Sequence, residues 1–101
     1  MKRYKVYTIE KGLIETDNYS ASRGLNWHKE DGPAYIRYYD NGNTECEIYY
    51  ITDKKHRLDG PAVIEYNENG NILLQQYYIN DVYYTKDDYD KELLKRKINL
   101  L

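Results

Sequence analysis

The stretch His28-Lys-Glu-Asp-Gly-Pro-Ala34 returns 28 residues later as His56-Arg-Leu-Asp-Gly-Pro-Ala62, and this period organises most of the chain. Residues 28–55 set against 56–83 without gaps give 14 identities: the histidine, Asp-Gly-Pro-Ala, Ile36/Ile64, Tyr38/Tyr66, Asn-Gly-Asn, Tyr-Tyr-Ile and Asp53/Asp81. A match that dense is a duplication, and self-similarity at this spacing signals a repeat architecture. Function is therefore expected on a repeated surface. Upstream, Tyr7, Gly12 and Tyr19 fall roughly where another copy would put a strand tyrosine, a turn glycine and a second-strand tyrosine, although the spacing from glycine to histidine is 16 instead of 14. Residues 2–27 thus read as a degenerate first repeat, as terminal units of arrays tend to be.

Within a copy, Ala34, Ile36 and Tyr38 alternate with Tyr35, Arg37 and Tyr39, and Ala62, Ile64 and Tyr66 alternate in the same way. Period two marks a strand with one drier face. The following segments, Thr44 to Thr52 and Ile72 to Asn80, pair back through Asn41-Gly42 and Asn69-Gly70. Asn-Gly is the usual pair for a type I′ hairpin turn. Pro33 and Pro61 fall at the first residue of a strand, where a missing N–H does least harm. The expected fold is mainly β: an antiparallel up-and-down meander of about six strands. Thr85 followed by Asp88 is a variant of the capping box and opens a helix. Acids early (Asp87, Asp88, Asp90, Glu92) and bases late (Lys95, Arg96, Lys97) suit the helix dipole over residues 85–98. Tyr89, Leu93, Leu94, Ile98 and Leu101 form an apolar stripe that should fold onto the sheet, cap its last strand or dock on a partner. One domain over 1–101 follows, divided into a cap (2–27), two repeats (28–55 and 56–84) and a C-terminal helix.

Mean hydropathy is −0.98 and no apolar run approaches a membrane-spanning length, so a membrane span is excluded. No charged-then-apolar leader stands at the N-terminus and Cys46 is the single cysteine, so a reducing, cytoplasmic setting is expected. Fourteen tyrosines and no phenylalanine give apolar area with polar tips. Such residues build a single sheet whose two faces are both partly wet, and they also supply interface anchors.

The segment His56-Arg-Leu-Asp-Gly-Pro-Ala-Val-Ile-Glu-Tyr66, followed by Asn-Gly and a Tyr-Tyr strand, resembles the short hairpin repeats of bacteriophage, bacterial and giant-virus proteins. Those are similar to membrane-occupation-and-recognition-nexus (MORN) hairpins. The resemblance covers residues 27–84 and implies a β-meander with a binding or inhibitory role and no catalytic residues to carry over. A small phage-encoded member implies an inhibitor of a host defence complex, of anti-CRISPR type, acting in the host cytoplasm. This chain departs from the larger members in having only two full copies.

His28 and His56 are the evident catalytic candidates, yet they recur with the repeat beside Asp31 and Asp59. The expectation is that each closes its own Asp-Gly-Pro turn (Asp31-Gly32-Pro33 and Asp59-Gly60-Pro61), with a His/Asp acid–base or metal pair as the alternative. No third ligand has an obvious spacing, and Cys46 lies mid-strand outside any activating motif. No enzyme, metal or cofactor is expected. Tyrosines among Lys2, Arg3, Lys5, Arg37, Lys54, Lys55 and Arg57 could stack bases, but a net charge of −2 disfavours nucleic acid. The preferred partner is another protein, contacted by Tyr35, Arg37, Tyr39, Tyr49 and Tyr77 from the face opposite Ala34, Ile36 and Tyr38. A third reading pairs outer strands between copies to make a dimer.

Overall fold

Runs rich in tyrosine and β-branched residues, punctuated by Gly, Asn and Asp, become strands, and the charge-graded tail becomes a helix. The computed structural model describes residues 2–99. It contains β1 (Arg3–Thr8), β2 (Gly12–Thr16), a 3-10 turn (Tyr19–Ser22), β3 (Tyr35–Tyr38), β4 (Thr44–Ile48), β5 (Tyr50–Ile51), β6 (Lys54–Lys55), β7 (Val63–Tyr66), β8 (Ile72–Ile79), β9 (Val82–Tyr84) and α1 (Lys86–Asn99). Seven strands form one antiparallel sheet in the order β2-β1-β3-β4-β7-β8-β9, and β5 and β6 form a separate hairpin. The meander and its helix match the sequence reading, with more strands than the six expected. The difference arises because the chain turns once more in each unit, at Thr52-Asp53 and at Asn80-Asp81.

Those two turns correct the placement of the type I′ geometry. Thr52 and Asp53 have φ of 46° and 66°, and Asn80 and Asp81 have 48° and 69°, so both central residues are left-handed as type I′ requires. At the Asn-Gly positions only Gly42 and Gly70 are left-handed, each with φ of 90°. There Gly42 N–H bonds Tyr39 C=O and Tyr39 N–H bonds Asn43 C=O, and the Asn67 to Asn71 loop repeats the pattern. This is a three-residue loop closed by a left-handed glycine. The acid before each asparagine, Asp40 or Glu68, lengthens the loop by one residue and removes the need for a left-handed asparagine.

Hydrogen bonds also realign the first unit. Tyr7 N–H bonds Ala34 C=O and His28 N–H bonds Tyr7 C=O, just as Tyr49 N–H bonds Ala62 C=O and His56 N–H bonds Tyr49 C=O. Tyr7 is therefore the equivalent of Tyr49 and Tyr77 in a second strand, not of a first-strand tyrosine. Glu10 to Leu25 stands where later units have only a two-residue turn, which explains the irregular spacing upstream of His28.

That insertion decides which face is dry. Val6, Tyr35 and Cys46 are the buried cluster, with Tyr4, Trp27, Ile48 and Tyr50 packed on it. Trp27 stacks on Tyr35 with ring centroids 5.3 Å apart and meets Tyr50 edge-on at 5.2 Å, while Tyr19 from the 3-10 turn meets Tyr4 at 5.8 Å. Tyr35 is thus core, on the face assigned above to solvent. Simple alternation fails because Ala34 and Tyr35 are both buried, as are Val63 and Ile64.

Thr85 Oγ1 accepts the Asp88 N–H and starts α1 as the sequence indicates. Tyr89 is buried and Leu93 half-buried against the sheet end, whereas Leu94 and Ile98 are exposed. Leu101, the last residue of the expected stripe, lies outside the described residues. No helix among the described residues is long and apolar enough to cross a membrane.

Candidate interaction surface

The face opposite the Tyr35 cluster carries a repeated arrangement. Tyr7, Tyr49 and Tyr77 occupy equivalent places, and each ring has a cation over it. Lys29 Nζ lies 3.9 Å from the Tyr7 centroid, Arg57 Cζ 4.0 Å from that of Tyr49, and Lys86 Nζ 5.6 Å from that of Tyr77. A cation over a tyrosine face is worth about 0.5–1 kcal/mol where exposed. Lys29 and Arg57 each follow the repeat histidine, so the loop that places the histidine also places the cation.

Arg57 is held from several sides. Its Nε donates to Asp59 Oδ1 at 2.9 Å and its Nη1 to Pro61 C=O at 3.0 Å. It crosses Gly60 so closely that a Cβ there would lie 2.9 Å from Arg57 Cζ, so a larger residue would displace the guanidinium. Between this loop and the preceding Asp-Gly-Pro loop runs a groove of about 600 Å³, lined by Lys29, Asp31, Tyr49, His56, Arg57 and Leu58 among others. Leu58 is 45% exposed, an apolar side chain offered to solvent beside mixed charge. Burial raises the Tyr49 pKa, so its phenol stays neutral in the groove.

Beyond the second loop, the helix fills the corresponding space. The Tyr89 ring lies 4.7 Å from Tyr77; its hydroxyl donates towards Arg57 C=O at 2.7 Å and Gly60 C=O at 3.0 Å and accepts the Gly60 N–H at 3.2 Å. Tyr89 thus closes the last Asp-Gly-Pro loop from within the chain.

The histidines are structural clamps, on a different turn from the expected one. His28 Nδ1 accepts the Thr52 N–H at 2.9 Å and His56 Nδ1 accepts the Asn80 N–H at 3.1 Å. Each therefore braces the left-handed turn that follows its loop in the chain, instead of its own Asp-Gly-Pro turn. Asp53 and Asp81 complete the brace by accepting the N–H of Trp27 and of Lys55. Burial, with Arg96 nearby, lowers the His56 pKa and favours the neutral ring that this bond requires.

Of the contact residues expected from sequence, the structure brings only Tyr49 into the groove, together with the turn residues Asp31, Gly32, His56 and Asp59. Tyr35 is 3% exposed and Arg37 is engaged by Glu45 and the Tyr35 hydroxyl. Tyr39 donates its hydroxyl to Tyr66 C=O at 2.6 Å, and Tyr77 lies under Tyr89. These five residues do not share a surface. Lys29 and Leu58 were not singled out by sequence; a base after both repeat histidines was the available signal for Lys29. Cys46 is buried, with its thiol pushed up to about 11 by burial. Among the described residues, no three His, Cys, Asp or Glu side chains are grouped to hold a metal ion.

Geometry and repeat together describe a β-hairpin repeat module closed at one end by a helix. No family model, curated protein or solved structure matches the chain.

Proposed function

We propose that this protein is a non-catalytic β-repeat module that binds another protein through the groove between its two Asp-Gly-Pro loops. The observation that carries this reading is the open groove itself, in which an exposed Leu58 lies beside a tyrosine capped by arginine and flanked by Lys29 and Asp31. Tyrosine and arginine, here Tyr49 and Arg57, are the residue types enriched at protein-binding hot spots, and the exposed Leu58 adds apolar area beside them. Inhibition of a host defence complex is the use of such binding that the hairpin resemblance implies.

A tagged chain should recover a protein partner that resists nuclease. Leu58→Asp should abolish recovery while leaving the melting temperature in place, because that side chain lies at the surface, and Lys29→Glu should abolish it with a small fall in melting temperature from the lost contact over Tyr7. Recovery unchanged in both variants would remove the groove from the reading. The second reading, a single-stranded nucleic acid, is favoured by the two bases and two tyrosines of a separate depression of about 480 Å³, lined by Arg3, Lys5, Tyr38 and Tyr39 together with Asp40 and Gly42. It predicts a complex that nuclease destroys and that weakens steeply with salt.

A further inference from the structure

The register of the repeat runs on past the second unit. Tyr84 in β9 pairs with Tyr77, and 28 residues earlier His56 N–H bonds Tyr49 C=O at the same place in the unit before. Counted in that register, Tyr89 corresponds to Pro61, because α1 begins where a third Asp-Gly-Pro loop would otherwise follow. The contacts of Tyr89 can therefore be carried back by one repeat. Its ring partner Tyr77 becomes Tyr49, and its hydroxyl partners, the C=O of Arg57 and the C=O and N–H of Gly60, become those of Lys29 and Gly32. Tyr49, Lys29 and Gly32 all line the groove. A proline at position 61 has neither the length nor the hydroxyl to reach them, so the groove is the space left where no phenol spans from one loop to the next.

The filled and the empty site are built alike. Lys29 crosses Gly32 much as Arg57 crosses Gly60, its Nζ 3.5 Å from where a Gly32 Cβ would lie. Lys29 N–H bonds Tyr50 C=O and Arg57 N–H bonds Tyr78 C=O, so both loops leave the sheet in the same way. The filled site carries a cation and a phenol against one tyrosine, since Lys86 also lies over Tyr77. Arg57 over Tyr49 is therefore compatible with a second ring there. Among the described residues, none donates a hydrogen bond to Lys29 C=O or Gly32 C=O and none accepts the Gly32 N–H. In the filled site the same three groups are satisfied by one hydroxyl, on a side chain only 2% exposed.

We infer that the groove receives a tyrosine side chain of the protein partner, its ring beside Tyr49 and its hydroxyl between the backbones of Lys29 and Gly32. This rests on the reading of the groove as a protein-binding surface and names what the partner brings to it. The interface that α1 makes with the second loop is the pattern for the one the partner makes with the first. Two carbonyl oxygens face the hydroxyl, so the phenol has to donate. Phenylalanine has no donor, and a phosphotyrosine brings anionic oxygens to a place where carbonyl oxygens repel them. The site thus selects unmodified tyrosine.

The test is a titration of the isotope-labelled full chain with a peptide of residues 86–99, whose one tyrosine is Tyr89, followed through the backbone amide signals. The peptide is the segment that fills the equivalent site within the chain. The Gly32 amide should shift saturably. The Tyr89→Phe peptide should bind about tenfold more weakly, the worth of a lost hydrogen bond or two, and the peptide phosphorylated at Tyr89 should leave Gly32 unmoved. No saturable Gly32 shift at millimolar peptide, equal affinity for the tyrosine and phenylalanine peptides, binding of the phosphorylated one, or shifts at Gly60 without Gly32 would each overturn the tyrosine site. If partner recovery is still lost with Leu58→Asp after such a result, the groove stands and only its tyrosine falls. A Gly32 shift beside recovery that Leu58→Asp leaves intact would keep the tyrosine site and remove the groove from partner binding.

Discussion

Two ends of one sheet, built from the same repeat, are held together by different means. At the first repeat, Trp27, Tyr35 and Tyr50 form a stacked and edge-on aromatic cluster under Tyr19. At the second, the equivalent positions are Lys55, Val63 and Tyr78, and Lys55 lies over the Tyr78 ring at 4.9 Å. The aromatic payload has moved to the other face, where Tyr89 from the helix packs on Tyr77. A repeat therefore fixes backbone hydrogen bonds and turn geometry, while each unit's core is supplied by whatever lies beside it: an insertion at one end and a helix at the other.

The contrast is broken most severely by emptying either core. Tyr35→Ala should cost about 3–5 kcal/mol in urea unfolding, in line with other large aromatic deletions. Tyr89→Ala should fall in the same range and expose the second Asp-Gly-Pro loop. Tyr49→Ala, in the groove, should cost about 1 kcal/mol, chiefly the Arg57 contact. Equal losses at Tyr35 and Tyr49 would mean that the two faces are equally dry, contrary to their exposures.

Acidification sharpens the comparison at the clamps. A histidine whose folded pKa is lowered gives stability that is complete above its unfolded value near 6.5 and lost as pH falls through the folded one. The melting temperature should therefore drop on going from pH 7.5 to 5. His56→Asn, whose Oδ1 can accept the Asn80 N–H at any pH, should flatten the part of that slope due to this ring. An unchanged slope would locate the pH sensitivity elsewhere.

The smallest effect concerns the paired left-handed turns. Thr52→Gly should stabilise the fold by about 1 kcal/mol, because a β-branched residue is strained at φ of 46° and the backbone N–H that His28 receives is retained. Asn80→Gly should gain less, since asparagine tolerates this region. Thermal unfolding of the two variants side by side measures the difference.

The sequence by itself determined the duplication, the meander, the loop punctuation and the helix with its Thr85 cap, because these depend on local periodicity, turn chemistry and charge order. It also marked His28 and His56 as structural, since a residue that recurs with a repeat serves the repeat. Tertiary structure alone decided that Tyr35 is core, that each histidine braces the turn following its loop, and that Tyr49 shares a groove with Leu58. It alone set Tyr89 against the last Asp-Gly-Pro loop. Those outcomes depend on where the Glu10 to Leu25 insertion and α1 come to lie, and in a single-layer sheet the same alternating tyrosines can face either way until such an element covers one side.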